Sequence, residues 1–252
     1  YMNQNIAKVI LPLAALSCVH GKMLAQDAAR PNILYIMCDD HAMQAISAYG
    51  SPISKLAPTP NIDRLAQRGM LFRNCFVENS LSTPSRACLM TGLYSHQNGQ
   101  RQLAEGIDTT KTFVPELMQK AGYETGIVGK WHMMCRPKGF DYYYILDGQG
   151  KYYNPNFCTT GNYGKYKQEM GYATTLTTQH AIEFLDHRQK DKPFCLYVHH
   201  KAPHRSWFAE PKHIGMYDGV DFPLPKTFWD NYENRGSAAK TQKMNIEKDM
   251  EL

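Results

Sequence analysis

From residue 31 onward, short apolar runs alternate with segments of helical periodicity. ILYIM (33–37) is continuously apolar, the pattern of a strand buried on both faces. TPNIDRLAQRG (59–69) predicts a helix with Thr59 as cap, Pro60 first, Ile62, Leu65 and Ala66 inward, and Gly69 as stop. LFRNCFV (71–77) reads as a strand. A short helix follows at Ser82, with Ser82 or Thr83 capping, Pro84 in the first helical position and Gly92 ending it. FVPELMQKAG (113–122) predicts a further helix, and YETGIVG (123–129) a strand ending near Lys130. Residues 135–171, dense in Tyr, Gly and Asn, read as a long loop. TTLTTQHAIEFLDHRQ (174–189) is helical with Leu176, Ala181, Phe184 and Leu185 on one side, and PFCLYVHH (193–200) is the next buried strand. No internal repeat is visible. The alternation predicts an α/β fold with a largely parallel sheet flanked by helices.

The first residues follow a different rule. Lys8 precedes the apolar run 9–16, too short to span a bilayer, and Ala25 precedes Gln26. The expectation is a signal peptide over 1–25 and an exported protein, periplasmic or extracellular, with no transmembrane span. Cys18 after Leu16-Ser17 leaves a lipid anchor as the lesser alternative.

The chain has 252 residues, 43% hydrophobic and 20% charged, enough for one sizeable domain. A net charge of +5 tolerates an anionic ligand, and no basic run points to nucleic acid. None of the seven cysteines forms a CxxC pair, so a zinc ribbon is not supported, and several sit in apolar runs as buried thiols.

Ligand sites in parallel sheets lie beyond the carboxyl ends of the strands. There the chain places Asp39-Asp40-His41, Lys130-Trp131-His132 and Lys201-Ala202-Pro203-His204. Each has an ordinary explanation alone: a helix cap, a solvated lysine, a loop histidine. Together, beside a helix start carrying Ser82 and Arg86, they suit chemistry on an anionic ester. Paired carboxylates offer hard oxygen ligands to Ca²⁺ or Mg²⁺. Such a cation polarises an oxyanion ester, Lys130 can neutralise developing charge, and His132 or His204 can move a proton. Ser82 would be the nucleophile. These arguments do not separate sulfate from phosphate.

Four motifs in order then resemble the type I sulfatases of the alkaline-phosphatase superfamily, over Pro31 to about Arg235: PNILYIMCDDH, STPSRACLMTG, GIVGKWH and HKAPHRSW. The resemblance implies that Asp39 and Asp40 bind Ca²⁺. Ser82 would be oxidised to formylglycine by a maturase before export, its hydrate supplying the attacking hydroxyl and a further metal ligand. Arg86 would hold that hydrate, Lys130 and His204 would grip the sulfate, and His132 would assist turnover of the sulfated intermediate. A Ser rather than a Cys at position 82 resembles the serine-type bacterial enzymes.

Family members complete the calcium site with a later Asp-Asn or Asp-His pair and add a second lysine. No such pair follows His204, and Asp218, Asp221 and Asp230 lack matching surroundings. The resemblance therefore implies that 31–252 is the N-terminal part of the catalytic domain, with the remainder and the smaller domain absent. GFDYYYILDGQGKYYNPNF (139–157) and FPLPKTFWDNYENRG (222–236) are similar to the subgroup acting on 6-O-sulfated N-acetylglucosamine of heparan or mucin chains. Asp147 would bind sugar hydroxyls, while Tyr142, Tyr143, Tyr144, Tyr152 and Tyr153 would either stack on sugars or pack the loop. The competing readings are a phosphatase or phosphodiesterase of the same superfamily and a non-catalytic protein that binds sulfated glycans.

Overall fold

In a computed structural model the described residues are 30–243 and 246. The signal peptide expected over 1–25 and Cys18 lie outside them.

Among the described residues six strands form one sheet: β1 (Ile33–Cys38), β2 (Glu124–Gly129), β3 (Tyr142–Leu146), β4 (Asn156–Thr159), β5 (Lys167–Gln168) and β6 (Phe194–His200). The spatial order is β1-β6-β2-β3-β4-β5. The first four of these run parallel, with Ile33 opposite Cys195, Glu124 opposite Phe194 and Gly126 opposite Tyr142. β4 and β5 add antiparallel. The expected parallel α/β sheet is present, with an antiparallel edge.

Alternation along β2 and β6 divides the core. Ile127, Cys195 and Tyr197 face one layer with Ala87, Met90, Phe113 and Trp131. Val128, Phe194, Leu196 and Val198 face the other, where α5 (Ala173–His187) lays down Ala181 and Phe184. The first layer is covered by α2 (Ser82–Thr91), with α3 (Ser95–Asn98) and α4 (Val114–Lys120) beside it. With helices on both faces, β2 and β6 read as unbroken apolar runs.

Several expectations are corrected. β1 is not buried on both faces: among the described residues it pairs with β6 alone, and Leu34 and Ile36 are exposed. No strand forms over 71–77; Phe72, Phe76 and Val77 are exposed, and an apolar run without a neighbouring strand has no ladder to join. The stretch 135–171 is not one loop but carries β3, β4 and β5, short strands hidden by the Gly and Asn between them. The helix α1 (Pro60–Arg68) forms from Pro60 as expected, yet Ile62 and Leu65 are exposed. Polar contacts hold it instead: Ser47 Oγ donates to Asp63 at 2.5 Å and Thr59 Oγ1 donates to Asp63 at 3.0 Å. In α2, Leu81 is the cap, Ser82 is the first helical residue and Pro84 the third, while Gly92 ends the helix with φ +66° as expected.

Among the described residues, no helix is long and apolar enough to cross a membrane. The six described cysteines are all unpaired, with Cys88, Cys158 and Cys195 buried.

Candidate active site

Three parallel strands stop side by side, and the chemistry follows each stop. β1 delivers Asp39 buried and Asp40 exposed, the latter with φ +62°. Asp39 is tied to the next strand end through its N–H, which donates to Ala202 O at 3.2 Å. β2 ends in Gly129, φ +96°, where a Cβ would lie 2.1 Å from His199 O. Only glycine lets the two backbones approach so closely there. Lys130 N–H then donates to that same carbonyl at 2.7 Å, which fixes where the lysine leaves the sheet.

The side chain of Lys130 is fully buried and its Nζ donates to Asp39 Oδ2 and Gln149 Oε1. Burial pushes the ammonium pKa down to about 8, with Asp39 opposing the shift. Arg86 gathers the site from within α2. Its Nη1 donates to Lys130 O at 2.7 Å and lies 3.1 Å from His199 Nδ1, its Nε donates to Ser82 Oγ at 3.3 Å, and its Nη2 lies 3.5 Å from Asp39 Oδ1. Burial pushes the guanidinium below its ordinary value and Asp39 opposes this. One carboxylate thus answers two buried cations, leaving the centre electropositive on the side of Ser82.

His132 stands over the helix start, with Nδ1 3.3 Å from Ser82 Oγ and 3.4 Å from Thr83 Oγ1. Burial, then the charges of Lys130 and Arg86, push its pKa down to about 4, so the ring is neutral near pH 7. His204 follows a turn closed by its own N–H onto Lys201 O at 3.0 Å. Its Nε2 lies 3.7 Å from Asp40 Oδ2. Tyr152 Oη donates to His204 O, Tyr153 Oη to Ala209 O, and Tyr172 Oη to Phe208 O at 2.8 Å. Three phenols therefore grip the segment that carries His204, so Tyr152 and Tyr153 pack a loop. Tyr142, Tyr143 and Tyr144 belong to β3, where Tyr143 is buried in the core.

The structure brings Asp39, Ser82, Arg86, Lys130 and His132 together, with Asp40 and His204 paired beside them. Asp147 sits apart: exposed, it opens the turn closed by Gly150 N–H onto its carbonyl at 2.8 Å. That turn presents Gln149, not Asp147, to Lys130. Sequence reasoning missed Gln149 and His199, because an amide in a Gly-rich turn and a histidine inside a strand carry no spacing signal. Lys201 is buried, its Nζ 5.0 Å from the Tyr152 ring centre.

A cavity of ≈ 300 Å³ opens here, lined by Asp39, Asp40, Ser82, Ser85 and Arg86 among others. Its donor chemistry, two adjacent carboxylates and a serine oxygen, fits a hard divalent cation. Among the described residues no cluster of three or more His, Cys, Asp or Glu completes such a site. These residues would supply only part of a coordination sphere.

A sulfatase family model matches residues 31–243. N-acetylglucosamine-6-O-sulfatase of Bacteroides thetaiotaomicron is 46% identical over 252 residues, covering 98% of this chain and 44% of that protein. Human N-acetylgalactosamine-6-sulfatase is 31% identical over 220 residues, covering 73% of this chain and 42% of that protein. The solved structure of BT4656 in complex with its substrate D-glucosamine-2-N,6-O-disulfate superposes with a TM-score of 0.81 at 48% identity, covering 86% of this chain and 44% of that one. The chain thus spans less than half the length of these relatives. The mostly parallel sheet with its flanking helices is that of the alkaline-phosphatase-like fold, and the chain belongs to the sulfatase family.

Proposed function

We propose that this chain carries the nucleophile-bearing part of an exported glycan sulfatase, one that hydrolyses 6-O-sulfate from N-acetylglucosamine of heparan or mucin type. The observation that carries the reading is the placement of Ser82. Its Oγ stands at the head of α2, between Arg86 and His132, facing a cavity floored by Asp39. Arg86 touches this hydroxyl and shares one buried carboxylate, Asp39, with Lys130, an excess of positive charge that suits an anionic ester.

Each residue has a task. Arg86 holds the oxygen on residue 82 through Nε and, with Lys130, supplies positive charge where the oxygens of a bound sulfate collect negative charge. His132, neutral and in reach of Ser82 Oγ, accepts a proton there. His204, backed by Asp40, is assigned to protonate the departing sugar oxygen. Lys130 and His204 bind the sulfate, and Asp147, on the turn that brings Gln149 to Lys130, is assigned to the sugar. Asp39, Asp40 and the oxygen on residue 82 would hold Ca²⁺, which when bound supplies a further positive charge on the ester. Oxidation of Ser82 to formylglycine by a maturase, before export on the segment 1–25, gives the activated nucleophile. The motif STPSR supports this, and the 46% identical N-acetylglucosamine-6-O-sulfatase supports the 6-O-sulfate reading.

The test is mass spectrometry of the tryptic peptide 74–86 from protein made in a host with a serine-type maturase. The expected product is lighter by the two hydrogens lost when an alcohol becomes an aldehyde, and it reacts with an aldehyde reagent. Unmodified Ser82 throughout overturns the formylglycine reading. Release of phosphate but not sulfate from matched sugar esters would move the chain to the phosphatase reading.

A further inference from the structure

His199 has no part in the chemistry above, yet it lies completely buried at its centre. It occupies the penultimate position of β6, with Nδ1 3.1 Å from Arg86 Nη1 and 3.2 Å from Lys130 O. Its other nitrogen, Nε2, is buried with no hydrogen-bond partner. The ring stands edge-on to Tyr35 and Tyr197, centroids 6.0 and 5.9 Å away. A leucine or phenylalanine would fill such an aromatic niche without stranding a polar atom, so burial alone does not account for an imidazole here.

The hydrogens on Arg86 Nη1 account for it. That nitrogen has two. One goes to Lys130 O at 2.7 Å, and the other meets His199 Nδ1. If Nδ1 carried a proton, that proton would go to the second lone pair of Lys130 O, and a guanidinium N–H would be left facing an N–H. An unpaired hydrogen on a buried charged group costs more than one on a neutral ring. An imidazolium would set a second positive charge against Arg86.

We propose that His199 is a positioning residue: neutral, protonated on Nε2, it accepts one Arg86 hydrogen on Nδ1 and fixes the guanidinium against Ser82 without neutralising it. A carboxylate in this place would hold Arg86 as firmly but would cancel the charge that Ser82 and a bound anion need. The imidazole supplies a lone pair and no charge. Burial first, then Arg86, hold the ring well below its ordinary pKa, in keeping with the neutral form. The functional consequence rests on the reading of residue 82 as the nucleophile; the contact itself does not.

Two measurements separate these. Long-range ¹H–¹⁵N correlation on the ¹⁵N-labelled chain, with His199 assigned by comparison with H199Q, should show Nε2 protonated and Nδ1 bare throughout the range in which free histidine titrates. An Nδ1–H tautomer or a doubly protonated ring overturns the proposal. In the same spectra the Arg86 Nε–H signal should persist in H199Q, whose amide oxygen can accept, and be lost in H199L. Its survival in H199L also overturns the proposal, and if H199L fails to fold, the tautomer and H199Q decide. On a 6-sulfated sugar, H199L should lose about ten- to a hundredfold in kcat with little change in KM, and H199Q should recover most of it. A rise in KM alone, or equal losses in both variants, refutes positioning. A parent chain that releases no sulfate refutes the enzyme reading, while the spectra still decide the contact.

Discussion

The approach of β2 to β6 at Gly129 sets up a test of what places Lys130. In G129A the new methyl would sit 2.1 Å from His199 O and 2.9 Å from Thr177 Cγ2, on a residue held at φ +96°. The backbone term for a non-glycine residue in that region is about 1–3 kcal/mol. The carbonyl cannot stay where it is, so the 2.7 Å bond from Lys130 N–H to His199 O must break or stretch. Leaving that buried pair unsatisfied costs about 1–3 kcal/mol more. The sum, about 2–6 kcal/mol, is a large share of the about 5–15 kcal/mol that stabilises a typical domain. With a urea slope of about 2–3 kcal/mol/M, the unfolding midpoint followed by circular dichroism should fall by about 1–3 M. A loss below about 0.5 kcal/mol, the size of an ordinary surface change, would refute the argument that glycine is required there.

Other outcomes follow from the same contacts. Y152F removes the phenol that holds His204 O and should cost about 1 kcal/mol of stability, read by thermal unfolding. It should also slow sulfate release more than the equivalent Y153F, whose partner Ala209 lies further from His204; equal effects would contradict the clamp. Asp63 is held below its ordinary carboxylate value chiefly by the Ser47 hydroxyl. Its contribution is therefore present above the unfolded carboxylate pKa and is lost as pH falls through the folded value. D63N should flatten the acid limb of Tm against pH, and an unchanged limb would argue against the Ser47–Asp63 contact. His180 is buried between Glu183, 2.8 Å from Nδ1, and Glu169, 2.9 Å from Nε2, and stacks on Tyr144. H180L should destabilise by about 2–3 kcal/mol in urea and open β5 to protease; a neutral result would mean these bonds contribute nothing.

What the sequence disclosed follows from the physics each signal reports. ETGIVG and FCLYVHH were recognisable because strands at the middle of a parallel sheet need long apolar runs; ILYIM carries the same signal on a strand that pairs on one side, and the site residues stood where those runs stop. The same signal over-reached at LFRNCFV, because an apolar run records a wish for burial and not the presence of a pairing strand. It under-reached at Tyr142–Leu146, where a half-buried strand in a Tyr-rich stretch resembles a loop. The helix at Ser82 was legible, but its register was not: a serine or threonine near a proline allows several first turns, and the chain uses the one capped by Leu81. Asp39, Lys130 and His132 could be read from strand ends. Gln149 and His199 could not, since they matter only through what a distant part of the chain brings against them.

That distance has a bearing on the order in which the protein acquires its parts. Lys130 meets Asp39 across 91 positions, Arg86 meets His199 across 113, and Phe194 N–H reaches Asn32 Oδ1 across 162. Loop closure of this length is slow, and topologies rich in such contacts fold late and cooperatively. The strand that completes the site is inserted between two strands synthesised long before it. A nascent chain that has emerged only through His132 already contains Ser82, Arg86, Lys130 and Asp39, yet has nothing to bring β1 beside β2. During that interval the serine is an ordinary residue on an unfinished chain, and its surroundings arrive together when Phe194–His200 enters the sheet.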